Sequence, residues 1–325
     1  MSVQASTATN VVFTNEPSPE EGDKTEIMQG LLSPQKCINP KYFYDTLGSE
    51  LFEKITQLPE YYPSRTERSI LIDNAEQIAE YCGQQCVLVE PGSGSSEKVR
   101  LLLDAIRPSS YVPMDIAADF LQRSATKLGG EFSWLNIQAI CADFSDENYF
   151  EHQLPEGKRV VFYPGSTLGN MTPPQAQLFL SGLRRWIGSA GGVLIGIDQH
   201  KSEAVLEAAY NDRQGVTAQF NLNALRVINR LMPANFDETN FSHQAFYNQK
   251  LQRIEMHLVS HRDHIVRVAD KSISMAEGET LHTENSYKYT PSSFEALANR
   301  SGFTLQKTWS DERQYFALHY LTVTA

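Results

Sequence analysis

Between Cys86 and Asp198 the chain repeats one pattern: a short apolar run, a turn, then a stretch with apolar residues at helical spacing. The strand-like runs are CVLVE (86–90), YVPMD (111–115), Leu135 to Asp143, RVVFYPGS (159–166) and GGVLIGIDQ (191–199). Between them lie EKVRLLLDAI, IAADFLQRSATKLGG and a proline-led segment reaching Trp186. Strands separated by helix-length connections pair in parallel, because antiparallel neighbours are joined by short hairpins. The expectation is an α/β fold, a parallel sheet with helices on both faces and right-handed crossovers.

After Asp198 the rhythm stops, and it resumes only past about Ser286 with a helix, SSFEALANRSG, and two strands, FTLQKTWS and QYFALHYLTV. Residues 201–232 read as helical, and KLQRIEMHLVSHRDHIVRV (250–268) reads as a hairpin around its His-Arg-Asp turn. Towards the N-terminus, Phe43, Leu47, Leu51 and Ile55 recur at i, i+4 in a helix that stops at Pro59. A second helix, from about Thr66 to Tyr81, carries Ile70, Ala75 and Ile78 and ends at Gly83. The simplest organisation has a flexible leader over 1–25, one lobe from 26–65 plus 200–286, and the sheet domain from 66–199 plus 287–325.

Composition narrows the function classes. With 325 residues the chain buries an ample core. Its 28 basic and 39 acidic residues give 28 − 39 = −11, with no Lys/Arg run, which opposes broad contact with nucleic acid or an anionic membrane. No stretch approaches the ~18 apolar residues of a membrane span. The start lacks the charged and apolar regions of a secretory signal. Cys37, Cys82, Cys86 and Cys141 read as free thiols, since Cys82 and Cys86 do not form a CxxC pair. A cytoplasmic protein is expected, and a monomer.

EPGSGSS (90–96) sits where the first strand meets its helix, the place at which doubly wound sheets bind ligands. Gly92 and Gly94, around Ser93, let the backbone approach a ligand, and the helix start offers unpaired N–H groups. Asp115 ends the second strand, where an acid accepts from ribose hydroxyls, and Asp143 ends the third, placed to meet an adenine amine. The loop lacks the third glycine of a dinucleotide fingerprint, and no GxxxxGK[ST] loop exists. A nucleoside without phosphates, such as S-adenosylmethionine (SAM), fits better. The closing antiparallel strand pair points to the Rossmann-like sheet of class I, SAM-dependent methyltransferases. Taken alone, the GxG is equally a tight turn.

KYFYDTLGSELFEKITQLPEYYPSRTE, YPGSTLGN, AAYND and TENSYKY, read together, closely resemble the histidine-specific Nα-methyltransferases of ergothioneine biosynthesis. The likeness runs in order from about Cys37 to the C-terminus. It implies a metal-independent enzyme that places three methyl groups from SAM on the α-amine of L-histidine, giving hercynine. By motif, it implies that Asn170 and Tyr210 hold the carboxylate and amine, and that Glu284 and Ser286 hydrogen-bond the imidazole. Tyr61, or its neighbour Tyr62, contacts the substrate; Tyr44 and Phe52 line the amine; Met256 packs on the ring. On the cofactor side the matches are Gly92 and Lys98, with Asp115 and Asp143. Tyr44, or a water it orients, is the candidate base.

Each residue also has a plainer role in isolation. Tyr44, Phe52 and Met256 would be core, Asn170 would cap the helix near Pro173, Tyr210 would be an exposed helix tyrosine, and Glu284 a solvated strand acid. His257, His261 and His264 look like metal ligands but are expected to be solvated hairpin histidines. The rival functions are N-methylation of another aromatic amino acid and non-catalytic sensing of SAM or an amino acid.

Overall fold

The computed structural model describes residues 2–5, 10–15, 20–143 and 154–324. The chain begins with β1 (Ser2–Ala5), β2 (Val11–Asn15), α1 (Glu20–Leu32), a 3-10 turn (Pro40–Phe43), α2 (Thr46–Thr56), α3 (Tyr62–Asp73) and α4 (Ala75–Cys82). Next come β3 (Val87–Pro91), α5 (Arg100–Ile106), β4 (Ser110–Asp115), α6 (Ala118–Glu131), β5 (Asn136–Cys141) and β6 (Arg159–Tyr163). A second 3-10 turn (Thr167–Asn170) leads to α7 (Pro173–Ile187), β7 (Gly192–Asp198), α8 (Glu203–Tyr210) and α9 (Val216–Leu231). Strands β8 (Phe241–Asn248), β9 (Arg253–Ser260), β10 (His264–Val268), β11 (Lys271–Met275) and β12 (Thr280–Tyr287) precede α10 (Pro291–Arg300), β13 (Phe303–Ser310) and β14 (Phe316–Val323).

Two compact units result. The first holds the described parts of Met1–Pro17, Pro63–His200 and Tyr287–Ala325; the second holds those of Ser18–Tyr62 and Lys201–Ser286. In the first, nine strands form one sheet in the order β1-β2-β5-β4-β3-β6-β7-β14-β13. From β2 to β7 every pairing is parallel, while β14 runs antiparallel to β7 and β13 antiparallel to β14. Strands β3 and β7 are buried along their whole length, which is why VLVEP and GVLIGID read as apolar runs rather than alternations. Apolar clusters cover both faces, one including Leu71, Leu103, Leu121 and Phe316, the other Leu180, Trp186 and Phe294. The order reverses at β3, with β4 on one side and β6 on the other, so the carboxyl ends of β3 and β6 flank the switch point. This is the Rossmann-like, class I arrangement.

Three elements depart from the sequence expectation. Within the expected leader, Val11–Asn15 forms β2 beside β5, with Val11 and Phe13 buried. Three β-branched residues and a phenylalanine suit a sheet position, and the Asn10 side chain anchors the strand by donating to the carbonyls of Gly129, Phe132 and Leu135. The helix expected from Phe43 starts at Thr46 instead, because Asp45 accepts the Gly48 N–H at 2.7 Å as an N-cap; Leu47 is exposed. The helix expected over Thr66 to Tyr81 is broken at Asn74 into α3 and α4.

In the second unit β9 does not pair with β10. It is the centre of a three-stranded sheet, β12-β9-β8, antiparallel to β8 in the register Ala245↔Met256, while β10 and β11 form their own hairpin. The turn at 249–252 joins β8 to β9, helped by Gln252 at φ 57° and a Leu251 N–H bonded to Asn248 Oδ1. Burial of nearly every β9 residue marks it as a central strand, and a central strand needs neighbours on both edges. Cys82, Cys86 and Cys141 are buried free thiols and Cys37 is half-buried and free. Among the described residues no helix is long and apolar enough to cross a membrane.

Candidate active site

In the first unit the loop after β3 turns on two glycines, Gly92 at φ 69° and Gly94 at φ 51°. The N–H groups of Gly92 and Ser93 both go to the Met114 carbonyl, tying the loop to β4. Asp115 secures it from the other side: Oδ2 accepts the Gly94 N–H at 2.9 Å and Oδ1 the Ala117 N–H at 3.0 Å. Desolvation raises its carboxyl above the usual range, opposed by those N–H bonds. A carboxylate accepts more than two hydrogen bonds, so Asp115 retains acceptor sites for a ligand hydroxyl. A side chain on Gly94 would meet nothing within 4 Å, and the buried Ser93 hydroxyl has no hydrogen-bond partner. Open space above a backbone turn, with an orphaned hydroxyl beside it, fits a bound nucleoside-type ligand. Asp143 is half-buried, two residues past β5.

Lys98, at the end of the same loop, makes an ion pair. Its Nζ lies 2.6 Å from Oε2 of Glu67, a side chain with no exposed surface. Beneath the same loop, Glu90 is buried and accepts from Tyr111, and burial pushes its carboxyl up to about 8.

Asn170 closes the 3-10 turn of YPGSTLGN and is half-buried. It is not the cap of α7: Thr172 is, in a reciprocal capping box with Gln175. Gly169 must be glycine, since a Cβ there would sit 2.9 Å from the Tyr287 carbonyl oxygen.

The second unit gathers the other candidates. Phe52, Tyr61, Tyr210, Met256 and Glu284 line one small cavity of about 20 Å³, together with Ile55, Ala209, Thr217 and Phe220. Tyr210 donates to Ser286 at 2.8 Å, joining the sixth candidate to this wall. A ladder of edge-on rings runs from Tyr44 to Phe52 (5.8 Å between centroids), to Tyr61 (6.3 Å) and to Tyr210 (6.1 Å). Tyr61 therefore belongs to the cavity, while the Tyr62 hydroxyl takes Lys201 at 2.8 Å. Tyr210 is 7% exposed and Glu284 9%, so neither is the solvated residue its sequence position suggested.

Local folding explains these placements. Gly48 lets α2 approach so closely that a Cβ would be 1.6 Å from the Phe43 oxygen, and Asn223 on α9 donates to both that oxygen and Asp45. The short connection at Tyr44 is thereby held at both ends. Burial opposes the charge of Asp45, but bonds from Gly48, Arg230 and Asn223 outweigh it and keep the carboxyl below its ordinary range. Asp212 caps α9 through the N–H groups of Val216 and Thr217, which sets Thr217 and Phe220. His243 accepts from Asn221 on Nδ1 and donates from Nε2 to the Tyr210 carbonyl, holding the end of α8. Burial lowers its pKa, so it stays a neutral strut.

Phe220, Thr217 and His243 had no motif to announce them. The i, i+3 spacing of Thr217 and Phe220 on a helix starting at an Asp-x-x-Gly cap was the available signal. The histidines separate. His257, expected in solvent, is buried, stacks on His282 at 4.6 Å and hydrogen-bonds Glu255. His264 bonds the Arg262 carbonyl, and His261 is exposed. Glu255, His257 and His282 each bring a ligating atom within 4.8 Å of the others, but Glu255 is already held by Arg253 and Asn248.

Comparison with known proteins gives a consistent set of relatives. The family profile described as "Histidine-specific methyltransferase, SAM-dependent" matches residues 23–323. Histidine N-alpha-methyltransferase of Mycobacterium tuberculosis (strain CDC 1551 / Oshkosh) is 42% identical over 305 residues, 91% of this chain and 93% of that protein. Its namesake from Mycolicibacterium smegmatis is 39% identical, over 93% of this chain and 95% of that one. Ergothioneine biosynthesis protein 1 of Neurospora crassa is 27% identical over 86% of this chain, which matches 32% of that longer protein.

Proposed function

The chain belongs to the SAM-dependent, histidine-specific methyltransferases, and we propose that it methylates the α-amine of L-histidine three times, yielding hercynine for ergothioneine biosynthesis. The observation that carries the substrate is the cavity of the second unit, where a buried carboxylate, a tyrosine–serine hydrogen bond and a ring of aromatics share one space.

A neutral imidazole presents one N–H and one bare nitrogen. Glu284 accepts from the N–H, and Ser286, which itself accepts from Tyr210, donates to the other nitrogen. Met256, unbranched and 1% exposed, packs on the ring. Asn170 and Tyr210 are assigned to the amino-acid carboxylate and amine, and Tyr61, whose ring lies 6.1 Å from that of Tyr210, contacts the substrate. A cavity of about 20 Å³ admits roughly one water, so side chains must withdraw when the amino acid enters. Met256, with its unbranched side chain, is the adaptable part of that wall.

SAM, held by Gly92, Ser93, Gly94, Lys98, Asp115 and Asp143, supplies an electrophilic methyl group on a sulfonium. The chain's own contribution is to hold the amine neutral and in line with it. Tyr44 is the candidate base: as its phenolate it would take up the proton the amine loses before each attack, directly or through a water. The aromatic faces of Tyr44 and Phe52 suit the growing ammonium, which after the last transfer has no hydrogen to donate. The reading takes the enzyme to be a cytoplasmic monomer.

Mass spectrometry of the purified protein with SAM and each of the twenty amino acids tests this. Trimethylated histidine alone is expected. A different methylated amino acid would reassign Glu284, Ser286 and Met256, and no product despite SAM binding would make the protein a sensor.

A further inference from the structure

We propose that Glu67 is a positioning residue that braces the turn carrying Asn170 against the cofactor loop's Lys98. This rests on the assignment of Asn170 to the substrate.

Glu67 lies on α3, in the stretch PSRTE, and its side chain has no exposed surface. Both carboxylate oxygens accept the Gly165 N–H, each at 3.0 Å, and Oε2 is 2.6 Å from Lys98 Nζ. The surrounding backbone is shaped for the group. Gly196 on β7 has no side chain where a Cβ would be 2.1 Å from Oε1, and a Cβ on Gly165 would stand 3.1 Å from Lys98 Nζ. Three separate segments thus converge on one carboxylate: the turn leading into α5, the turn after β6, and β7.

The turn needs such a brace. Gly165 at φ 79° and Ser166 at φ 58° are consecutive left-handed residues, and the serine holds that conformation with a Cβ. Ser166 Oγ accepts the Asp198 N–H at 2.9 Å, and Asp198 pairs with buried Lys288 at 2.7 Å. The turn is therefore held from outside at Gly165 and at Ser166, and from these it delivers Asn170 one 3-10 turn later. A buried carboxylate is costly when an apolar side chain could fill the space, so its presence marks a geometric requirement rather than added stability. Lys98 balances its charge.

Glu67→Gln keeps the shape and one acceptor for Gly165 but removes the charge. Hydrogen exchange over 164–170 is expected to accelerate about tenfold or more, the factor of one charge-assisted hydrogen bond, with β14 and α6 peptides unchanged. kcat with histidine should fall by a similar factor while KM for SAM moves less than about threefold. Lys98→Met should reproduce part of the exchange effect, and the double variant should be no worse than the Glu67→Gln single. Unchanged exchange over 164–170, or an equal rise in every peptide, overturns the proposal, as does multiplication of the two single-variant effects. Exchange needs no methyl acceptor, so an inactive wild type with histidine refutes the substrate and leaves the brace to be judged on exchange alone.

Discussion

Glu284→Gln is the sharpest perturbation of the substrate pocket. The side chain is 9% exposed and lines a cavity too small for bulk water, so water cannot replace a lost partner there. A hydrogen bond to a charged group in such a place contributes about 1.5–3 kcal/mol, which is about a 10- to 150-fold change in kcat/KM for histidine. Glutamine keeps the volume and can still offer an oxygen, so the lower half of that range is expected. The assay compares kcat/KM for L-histidine and for histidines methylated on either ring nitrogen. Wild type should reject the isomer that lacks the N–H facing Glu284, and the variant should narrow the gap between the two isomers. Thermal melting run alongside guards against misfolding. A well-folded Glu284→Gln with histidine kcat/KM within twofold of wild type refutes the assignment of Glu284 to the imidazole.

Other outcomes follow from single contacts. Tyr61→Phe should raise KM for histidine about tenfold, while Tyr62→Phe, which loses the hydroxyl's contact with Lys201, should stay within about threefold; equal effects in steady-state kinetics would undo the distinction. Glu90 has its carboxyl raised by burial from 4.5 to about 8, so the folded protein holds a proton that the unfolded chain has lost. That stability is present below the unfolded value and disappears as pH rises through about 8, at up to about 1.4 kcal/mol per pH unit. Denaturant titrations across this window should give a flatter profile for Glu90→Gln than for wild type; parallel profiles would implicate another group. Asp45→Ala should cost about 1–2 kcal/mol through the lost cap of α2 and lower kcat through Tyr44, and unchanged chemical stability would contradict it.

The parallel sheet was legible because buried strands have to be apolar along their length, and helical connections leave few ways to pair them. The turn after β3 was legible for a related reason, since paired glycines at a strand-to-helix junction mark a left-handed turn, but its ligand was not, because a GxG serves equally as a bare turn. Pairing in the second unit was not. RIEMHLVS followed by HRDHIVRV has the alternation of a hairpin, but alternation does not name the neighbour, and β9 takes β8 and β12 instead. The substrate wall came from motif likeness, since an isolated Tyr210 or Glu284 carries no mark of burial. Glu67 was invisible because its partners are a backbone N–H at Gly165 and a missing side chain at Gly196, and neither leaves a trace in residue type alone. Val11–Asn15 was hidden by its polar flanks.

Residues 201–286 leave the sheet after β7 and return before α10, and the two crossing points are stitched together. Gln199 bridges Tyr289, the Tyr289 N–H bonds the Asp198 carbonyl, and the buried Lys288–Asp198 pair sits beside them. In topological terms the second unit's larger part is a single loop whose ends meet. The entropy of closing a loop grows only with the logarithm of its length, so residues can be added to or removed from this excursion at little cost to the sheet. Changes of length within 201–286 should therefore leave the register of β7 and β14 intact, provided Asp198 and Lys288 stay at the seam.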